Sequence, residues 1–229
     1  MQRSHPKYGV DAPWITFGFL IGGLALCSIE FVQHVVQGLI WPGLSFGLTG
    51  ATMLWGSLVG KKRLRDRVFA AIDDQPRDVL DIGCGRGLLL IGAAKRFPGA
   101  RAVGIDRWRS LDQAFNSSAA TLENARLEGV SDRVTLVDGD ARALPFSDAS
   151  FDLVVSSFAI HNIPDAPGRE KAILEAMRVL RPGGRLEIVD IFAYRQYERI
   201  LRAAGWETST VKAAGMFVVT AYWIRAKRP

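Results

Sequence analysis

The sequence holds little of what organises many functional sites. It has two cysteines, Cys27 and Cys84, and three histidines. A disulfide framework is therefore excluded, and with neither C-x-x-C nor H-E-x-x-H in the chain no metal centre is expected. A G-x-G-x-x-G fingerprint is also missing, because Leu88 stands where its last glycine belongs, which disfavours a dinucleotide. The largest absence is of charge. No Asp, Glu, Lys or Arg occurs in residues 12–29 or 31–60. A domain folded in water does not produce such runs, whereas about 20 apolar residues carry one helix across a bilayer.

The charge-free runs predict membrane spans at roughly Pro13 to Phe31 and Gly38 to Val59, with Glu30 to Gln37 as a short outer turn. Trp14, Trp41 and Trp55 fall near the expected interfaces, Trp55 about one turn inside. Gly18/Gly22, Gly43/Gly47 and Gly56/Gly60 have the spacing that lets helix backbones approach closely in lipid, and the hairpin is also a surface through which two copies can associate. Pro42 can begin or kink the second span. Arg3 and Lys7 precede the first span, no Lys or Arg lies in the turn, and Lys61, Lys62, Arg63, Arg65 and Arg67 follow the second. By the positive-inside rule this is a two-pass integral membrane chain with a cytoplasmic globular domain. The first span does not read as a cleaved signal peptide, since no A-x-A-like site follows it before the second. The competing reading packs the same two apolar helices on the domain, or on a twin subunit, in water. Glu30 and His34, four apart, can pair at the outer face, although a solvated turn is the simpler reading.

The net charge of +6 does not point to nucleic acid, because its densest cluster abuts an apolar span, where anionic headgroups attract each Lys or Arg by about 1 kcal/mol. That cluster lies on a helix expected over Lys62 to Ile72 with Leu64, Val68, Phe69 and Ile72 on one side, closed by Asp73-Asp74-Gln75-Pro76. The chain thus divides into an N-terminal transmembrane helical hairpin (1–60), a basic amphipathic linker helix (61–77) and a globular domain (78–229).

In that domain an apolar strand, Val79 to Ile82, stops in Gly83-Cys84-Gly85-Arg86-Gly87. Glycine at alternate positions lets the backbone take positive φ and lie against a ligand, while the amides opening the next helix, Leu88 to Arg96, face it. A glycine-rich turn with no ligand is the plainer alternative. Arg101 to Asp106 forms a second strand ending in an acid. In doubly wound folds an acid about 20 residues beyond the first glycine meets the ribose hydroxyls, and Asp106 has that spacing from Gly83; its other reading is a helix cap. A helix over Leu111 to Glu128, a strand Arg133 to Val137, a strand Phe151 to Ser157, a helix Arg169 to Leu180, the break Arg181-Pro182-Gly183-Gly184 and a strand Arg185 to Ile191 follow. Tyr197 to Ala204 reads as a last helix, with closing strands over Trp206 to Lys212 and Met216 to Arg225. Alternating strands and helices demand an α/β, Rossmann-like doubly wound, mostly parallel sheet of seven strands.

From about Asp78 to Arg228 these motifs resemble, in order, class I S-adenosylmethionine-dependent methyltransferases, with Asp81, Gly83, Gly85 and Gly87 in register with their D-x-G-x-G-x-G motif. The resemblance implies cofactor contacts from Asp81, Gly83, Cys84, Gly85 and Gly87, from Asp106 with Arg107, from Asp140 toward adenine with an amide from Ala141, and from Ser157. It implies an acceptor-side loop from Ser157 to Ile163, an antiparallel pairing of the closing strands at one edge, and S-adenosyl-L-methionine as cofactor. The cysteine set of arsenite methyltransferases is missing.

A sulfonium methyl is already activated, so such an enzyme mainly orients a nucleophile and excludes water. His161 is the candidate base where the acceptor must lose a proton, since imidazole titrates near neutrality; equally, it can serve only to shape its loop. Phe158, Asp190 and Tyr194 are weaker candidates for substrate contact, Asp190 and Tyr194 because ligands of open α/β sheets bind at the carboxyl edge. Related enzymes often place a lid after the fifth strand, whereas Asp190 to Tyr197 leaves only a short connection. Linker, hairpin and lipid surface are then expected to cover the site, which suits a lipophilic acceptor such as a quinone-like ring or a lipid headgroup. A membrane-tethered protein methyltransferase and a non-catalytic cofactor-binding scaffold are the alternatives.

Overall fold

The computed structural model describes residues 6, 8–10, 12–33, 38–108, 116–213 and 220–229. Two helices come first, α1 (Pro13–Gln33) and α2 (Ile40–Trp55). They pack antiparallel, with Leu20 beside Gly50, Gly23 beside Gly47 and Cys27 beside Gly43. The close approach uses the expected pair Gly43/Gly47 of α2, but from α1 it uses Gly23 rather than Gly18 and Gly22, and Gly50 joins them. A Cβ on Gly23 would stand 2.6 Å from Gly47 N and 2.7 Å from Gly43 O, whereas one on Gly18 would meet nothing within 4 Å. The reason is rotational: the surface of α1 that meets α2 carries Leu20, Gly23 and Cys27, and Gly18 lies off it. Glu30 accepts from Ile40 N at 2.6 Å and so supplies one of the partners that the start of α2 lacks; His34, its expected partner, lies outside the described residues, as do Arg3 and Lys7.

Among the described residues one helix, over Pro13–Phe31, is long and apolar enough to cross a membrane, with a mean hydropathy of 1.7 and only 11% of that stretch buried. The second expected span is a 16-residue α-helix, shorter than the about 20 residues that cross a bilayer. It runs without a break through a π-helical stretch, Gly56–Gly60, into α3 (Lys61–Ala70). The linker is therefore the continuation of the hairpin rather than a separate element. Its apolar side is as expected: Leu64, Val68, Phe69 and Ile72 are all buried. Lys61 departs from expectation. Placed by its sequence among the headgroup-facing cations, it is 3% exposed, and its ammonium donates to Tyr8 O at 2.9 Å and Gly9 O at 2.8 Å. The buried position at the start of α3 exposes it to carbonyls instead of lipid. Tyr8 in turn donates to Glu128 Oε1 at 3.0 Å, strapping the N-terminal segment to the globular domain.

The sheet has seven strands: β1 (Asp78–Ile82), β2 (Arg101–Asp106), β3 (Val134–Asp138), β4 (Phe151–Ser157), β5 (Leu180–Asp190), β6 (Glu207–Ala213) and β7 (Ala221–Lys227). Their order is β3-β2-β1-β4-β5-β7-β6. The first five are parallel, and β7 is antiparallel to both neighbours, as the resemblance implied. Apolar residues alternate between the faces: Val79 and Val155 pack with Leu90 and Ile91 of α4 (Leu88–Arg96), Leu80 and Val154 with Ile173 and Ala176 of α6 (Ala166–Val179). Burial of both faces explains why the inner strands read as continuous apolar runs.

Boundaries shift where caps decide them. Ser117 Oγ accepts from Ala120 N, so α5 begins at Ser118 and runs to Leu127; 111–115, the start of the longer helix expected, lies outside the described residues. Asp165 accepts from Gly168 N and starts α6 three residues early. The Arg181-Pro182-Gly183-Gly184 segment is not a break before β5 but an irregularity within it: Phe151 pairs with Leu180 and Leu153 with Arg185. The last helix, α7 (Tyr194–Ala203), begins before Tyr197. Residues 214–219, including Met216, lie outside the described residues.

Candidate active site

The strand order reverses between β1 and β4, and the loops leaving their carboxyl ends meet there, the position where open α/β sheets bind ligands. After β1, Gly83, Gly85 and Gly87 have φ of +70°, +49° and +84°. Gly83 shows why no other residue serves. A Cβ there would lie 2.2 Å from Ala159 Cβ in the loop after β4, so both backbone conformation and space demand glycine.

Acids surround this turn. Asp106, ending β2, accepts from Gly85 N at 2.8 Å and from Trp108 N at 2.7 Å, fixing the glycine loop against the second strand. Asp81 is 2% exposed and accepts from Leu90 N at 2.8 Å. Burial pushes its carboxyl up to about 8; the Leu90 amide opposes that rise and the Asp106 charge adds to it. Asp140, in the turn after β3, is the opposite case. Hydrogen bonds from Arg142 hold it down at about 2, with Arg107 contributing at 3.2 Å. The Cys84 thiol is pushed up by burial and packs toward Gly104 on β2.

A cavity of about 750 Å³ opens over these groups. Asp81, Gly83, Cys84, Gly85 and Asp106 line it, as do Arg107, Asp140, Ala141 and Ser157. Gly87 does not; it caps α4 from behind, against Ile91 and Thr121. Asn116 was not anticipated. It lies on the wall, 3.4 Å from Asp106, and among the described residues its buried Oδ1 has no hydrogen-bond donor. A glycine cradle, the acceptors Asp106 and Asn116 and the amides that open α4 suit the hydroxyls, amino groups and carboxylate of S-adenosylmethionine.

Across the cavity, Phe158 (φ +53°) and His161 form the loop after β4. His161 Nδ1 lies 2.5 Å from Asp190 Oδ1. Asp190 is 1% exposed and accepts also from His161 N at 3.1 Å, Ile191 N at 2.9 Å and Tyr197 Oη at 3.2 Å. Three other donors mark Asp190 as an acceptor, so Nδ1 carries a proton, and in the neutral ring Nε2, on the opposite side, is the nitrogen with the lone pair. The expected acceptor contacts thus separate. Phe158 and His161 line the cavity; Asp190 stands behind His161 as its orienting group. Tyr194 does not line the cavity, because its ring stacks on Tyr222 at 3.6 Å. Tyr197 escaped notice, since its position seven residues after Asp190 straddles a strand end and a helix start and follows neither period. The remaining walls, from α1, α2 and the π-helical stretch, had only the short β5–α7 connection as their signal.

Residues 80–188 match the family model described as "Methyltransferase domain". The chain is 35% identical over 126 residues to the demethylmenaquinone methyltransferase of Thermus thermophilus, covering 55% of this chain and 52% of that one. It is 39% identical over 112 residues to the ubiquinone/menaquinone biosynthesis C-methyltransferase UbiE of Dinoroseobacter shibae, covering 49% and 41%. The chain thus spans about half the length of the curated relatives it matches. Among solved structures, the [4+2]-cyclase SpnF superposes with a TM-score of 0.61 at 21% identity, over 73% of this chain and 81% of that one. A fold that also serves a cyclase does not by itself decide chemistry; what the matches show is that residues 80–188, just under half of the chain, are similar to a methyltransferase domain, and S-adenosylmethionine is the cofactor of that class. The curated relatives named above are quinone methyltransferases by their names.

Proposed function

We propose that the chain transfers a methyl group from S-adenosylmethionine to a lipophilic small-molecule acceptor resident in the membrane, of quinone-like ring chemistry. The observation that carries this reading is the His161–Asp190 pair standing across one cavity from the glycine loop and Asp106. When bound, the cofactor supplies a methyl group activated by its sulfonium. Asp106 and Asn116 would hold its ribose, Asp140 and the Ala141 amide its adenine, and Asp81 and the glycine-loop amides its amino-acid end. His161 Nε2 would accept the proton of an acceptor hydroxyl, leaving that oxygen, or a ring carbon conjugated to it, as the nucleophile. Asp190 holds the imidazole in that tautomer and Tyr197 holds Asp190. Phe192, itself 57% exposed, stands edge-on to His161 with ring centroids 6.2 Å apart.

The hairpin reads as a two-pass anchor with both ends and the catalytic domain on the cytoplasmic side. What supports this is the outward apolar surface of α1 and α2, with Trp14 84%, Phe31 78% and Trp41 77% exposed, and the cations that follow. Extraction of membranes with alkaline carbonate should leave the chain in the pellet, and its release would refute the anchor.

The activity is tested by incubating the full chain in detergent with methyl-labelled S-adenosylmethionine and a total lipid extract. Label is expected in the organic phase. Label in the polypeptide of an added protein would favour a tethered protein methyltransferase, and cofactor affinity with no transfer to any acceptor would leave a binding scaffold.

A further inference from the structure

The cavity does not end at the catalytic domain. The walls that hold Asp81, Asp106 and His161 are continuous with walls formed by Ile15 and Phe19 of α1 and by Thr49 and Met53 of α2. Phe19 lies six residues into α1, about 9 Å along the helix axis. The lining therefore climbs into the charge-free part of the chain. Its polarity is graded. Acids and histidine sit at the sheet end, Ser57 and Lys61 stand at the junction, and Ile15, Phe19 and Met53 close the hairpin end, where the Thr49 hydroxyl is taken up by donating to Ser45 O. Phe19 is fixed edge-on against Phe46, with centroids 5.3 Å apart, so this wall is a packed one. Ile15 lines the cavity yet is 56% exposed, which places it at a mouth on the outer surface of the hairpin.

Resting on the function proposed above, we propose that the hairpin builds the acceptor subsite as well as anchoring the domain. It forms a chamber, entered from the lipid between α1 and α2, that takes an amphipathic acceptor with its polar ring at His161 and its hydrocarbon chain along Ile15, Phe19 and Met53. The occupant follows from the gradient. A polar headgroup at Phe19 would lose its hydrogen bonds, and a hydrocarbon chain at His161 would leave the imidazole Nε2 without a partner. Only a molecule polar at one end and apolar at the other satisfies both.

Two measurements on the full chain test this. In the first, Phe19→Trp and Met53→Trp fill the chamber. Against the lipid-extract acceptor each should raise KM about tenfold while calorimetric affinity for S-adenosylhomocysteine stays at the wild-type value, as expected when a substrate subsite alone is blocked. Unchanged KM in both variants, with wild-type transfer intact, overturns the chamber and leaves the methyltransferase reading standing. The second needs no activity. Met53→Cys and Leu48→Cys are reconstituted in phosphatidylcholine vesicles with a lipid-dissolved alkyl maleimide, and modification is read residue by residue by mass spectrometry. Both should react, Leu48 being 67% exposed on the outer hairpin surface, and adding Phe19→Trp should slow the reaction at Met53→Cys alone. Met53→Cys that stays unmodified, or that Phe19→Trp leaves as reactive as before, overturns the proposal even if no lipid acceptor is ever methylated.

Discussion

Ile173 and Gly23 are both withdrawn from solvent, at the centres of two regions built on opposite plans. Around Ile173 the contact is made by side chains: Leu80, Val154, Ala176 and Leu201 fill the space between sheet and helices at 0% exposure. Around Gly23 contact is made by the lack of one, with the backbone of α2 where a Cβ would be. The large apolar residues of the hairpin face outward instead, among them Ile21 at 66% and Leu24 at 70%. Burying apolar side chains is what drives association in water, whereas backbone proximity through small residues is what drives it where the surroundings are already apolar. The contrast is what the proposed anchor requires: on that reading one chain is written for two solvents, and the cofactor cavity lies on the line where they meet.

The sharpest test of this division is His161→Ala. It should lower kcat for the lipid acceptor by about 10²–10⁴-fold and leave S-adenosylhomocysteine affinity unchanged in calorimetry; a drop in that affinity would mean that the two sides of the cavity are not separable. Next comes Gly83→Val, which forces a branched side chain into positive φ and onto Ala159. It should cost roughly 2–4 kcal/mol in urea unfolding of the detergent-solubilised chain and abolish cofactor binding. The matched change in the hairpin, Gly23→Val, should cost roughly 1–3 kcal/mol through overpacking. It should reduce transfer to lipid while sparing cofactor affinity, whereas Gly18→Ala should stay within about 0.5 kcal/mol of wild type. Loss of cofactor binding in Gly23→Val would erase the distinction between the regions.

The smallest effect concerns protons. The Asp81 carboxyl is raised from 3.8 to about 8, and that of Glu187, buried in β5, from 4.5 to about 7, both by burial. The folded state therefore holds protons that the unfolded chain has lost. This contribution to stability is complete below the unfolded pKa values and disappears as pH rises through about 7 to 8. Stability measured by urea should fall across that window, and Asp81→Asn should flatten the upper part of the fall. Binding a cation next to Asp81 favours its charged form, so cofactor binding at pH 7 should release a fraction of a proton, seen as a binding enthalpy that varies with the buffer. An enthalpy independent of buffer would remove Asp81 from the cofactor's surroundings.

Much of the catalytic domain was legible because its signals are local. Leu88 to Arg96, Arg101 to Asp106 and Phe151 to Ser157 are the same elements in sequence and structure, each an apolar run bounded by glycine, proline or an acid. The glycine loop and Asp106 were legible for the same reason. What escaped depends on groups distant in the chain. Lys61 looks like a surface cation until Tyr8 and Gly9, more than fifty residues away, present their carbonyls. Asp190 reads as a substrate contact until Tyr197 and His161 claim its oxygens, and Tyr194 until Tyr222 stacks on it. Gly23 was passed over for Gly18 and Gly22 because four-residue spacing describes one helix, whereas the contact is decided by how two helices are rotated about each other.

The unbroken path of helix from Ile40 to Ala70 has a mechanical implication. It starts among outward-facing apolar side chains, passes through the π-helical stretch Gly56–Gly60 and ends packed on α4, and Ser57 and Lys61 bring it to the cavity wall. On the proposed anchoring, a leaning of its upper half, as a thicker or thinner bilayer would impose, would be transmitted as a displacement of the cavity wall, and the surrounding lipid would become one of the variables that set the width of the reaction chamber.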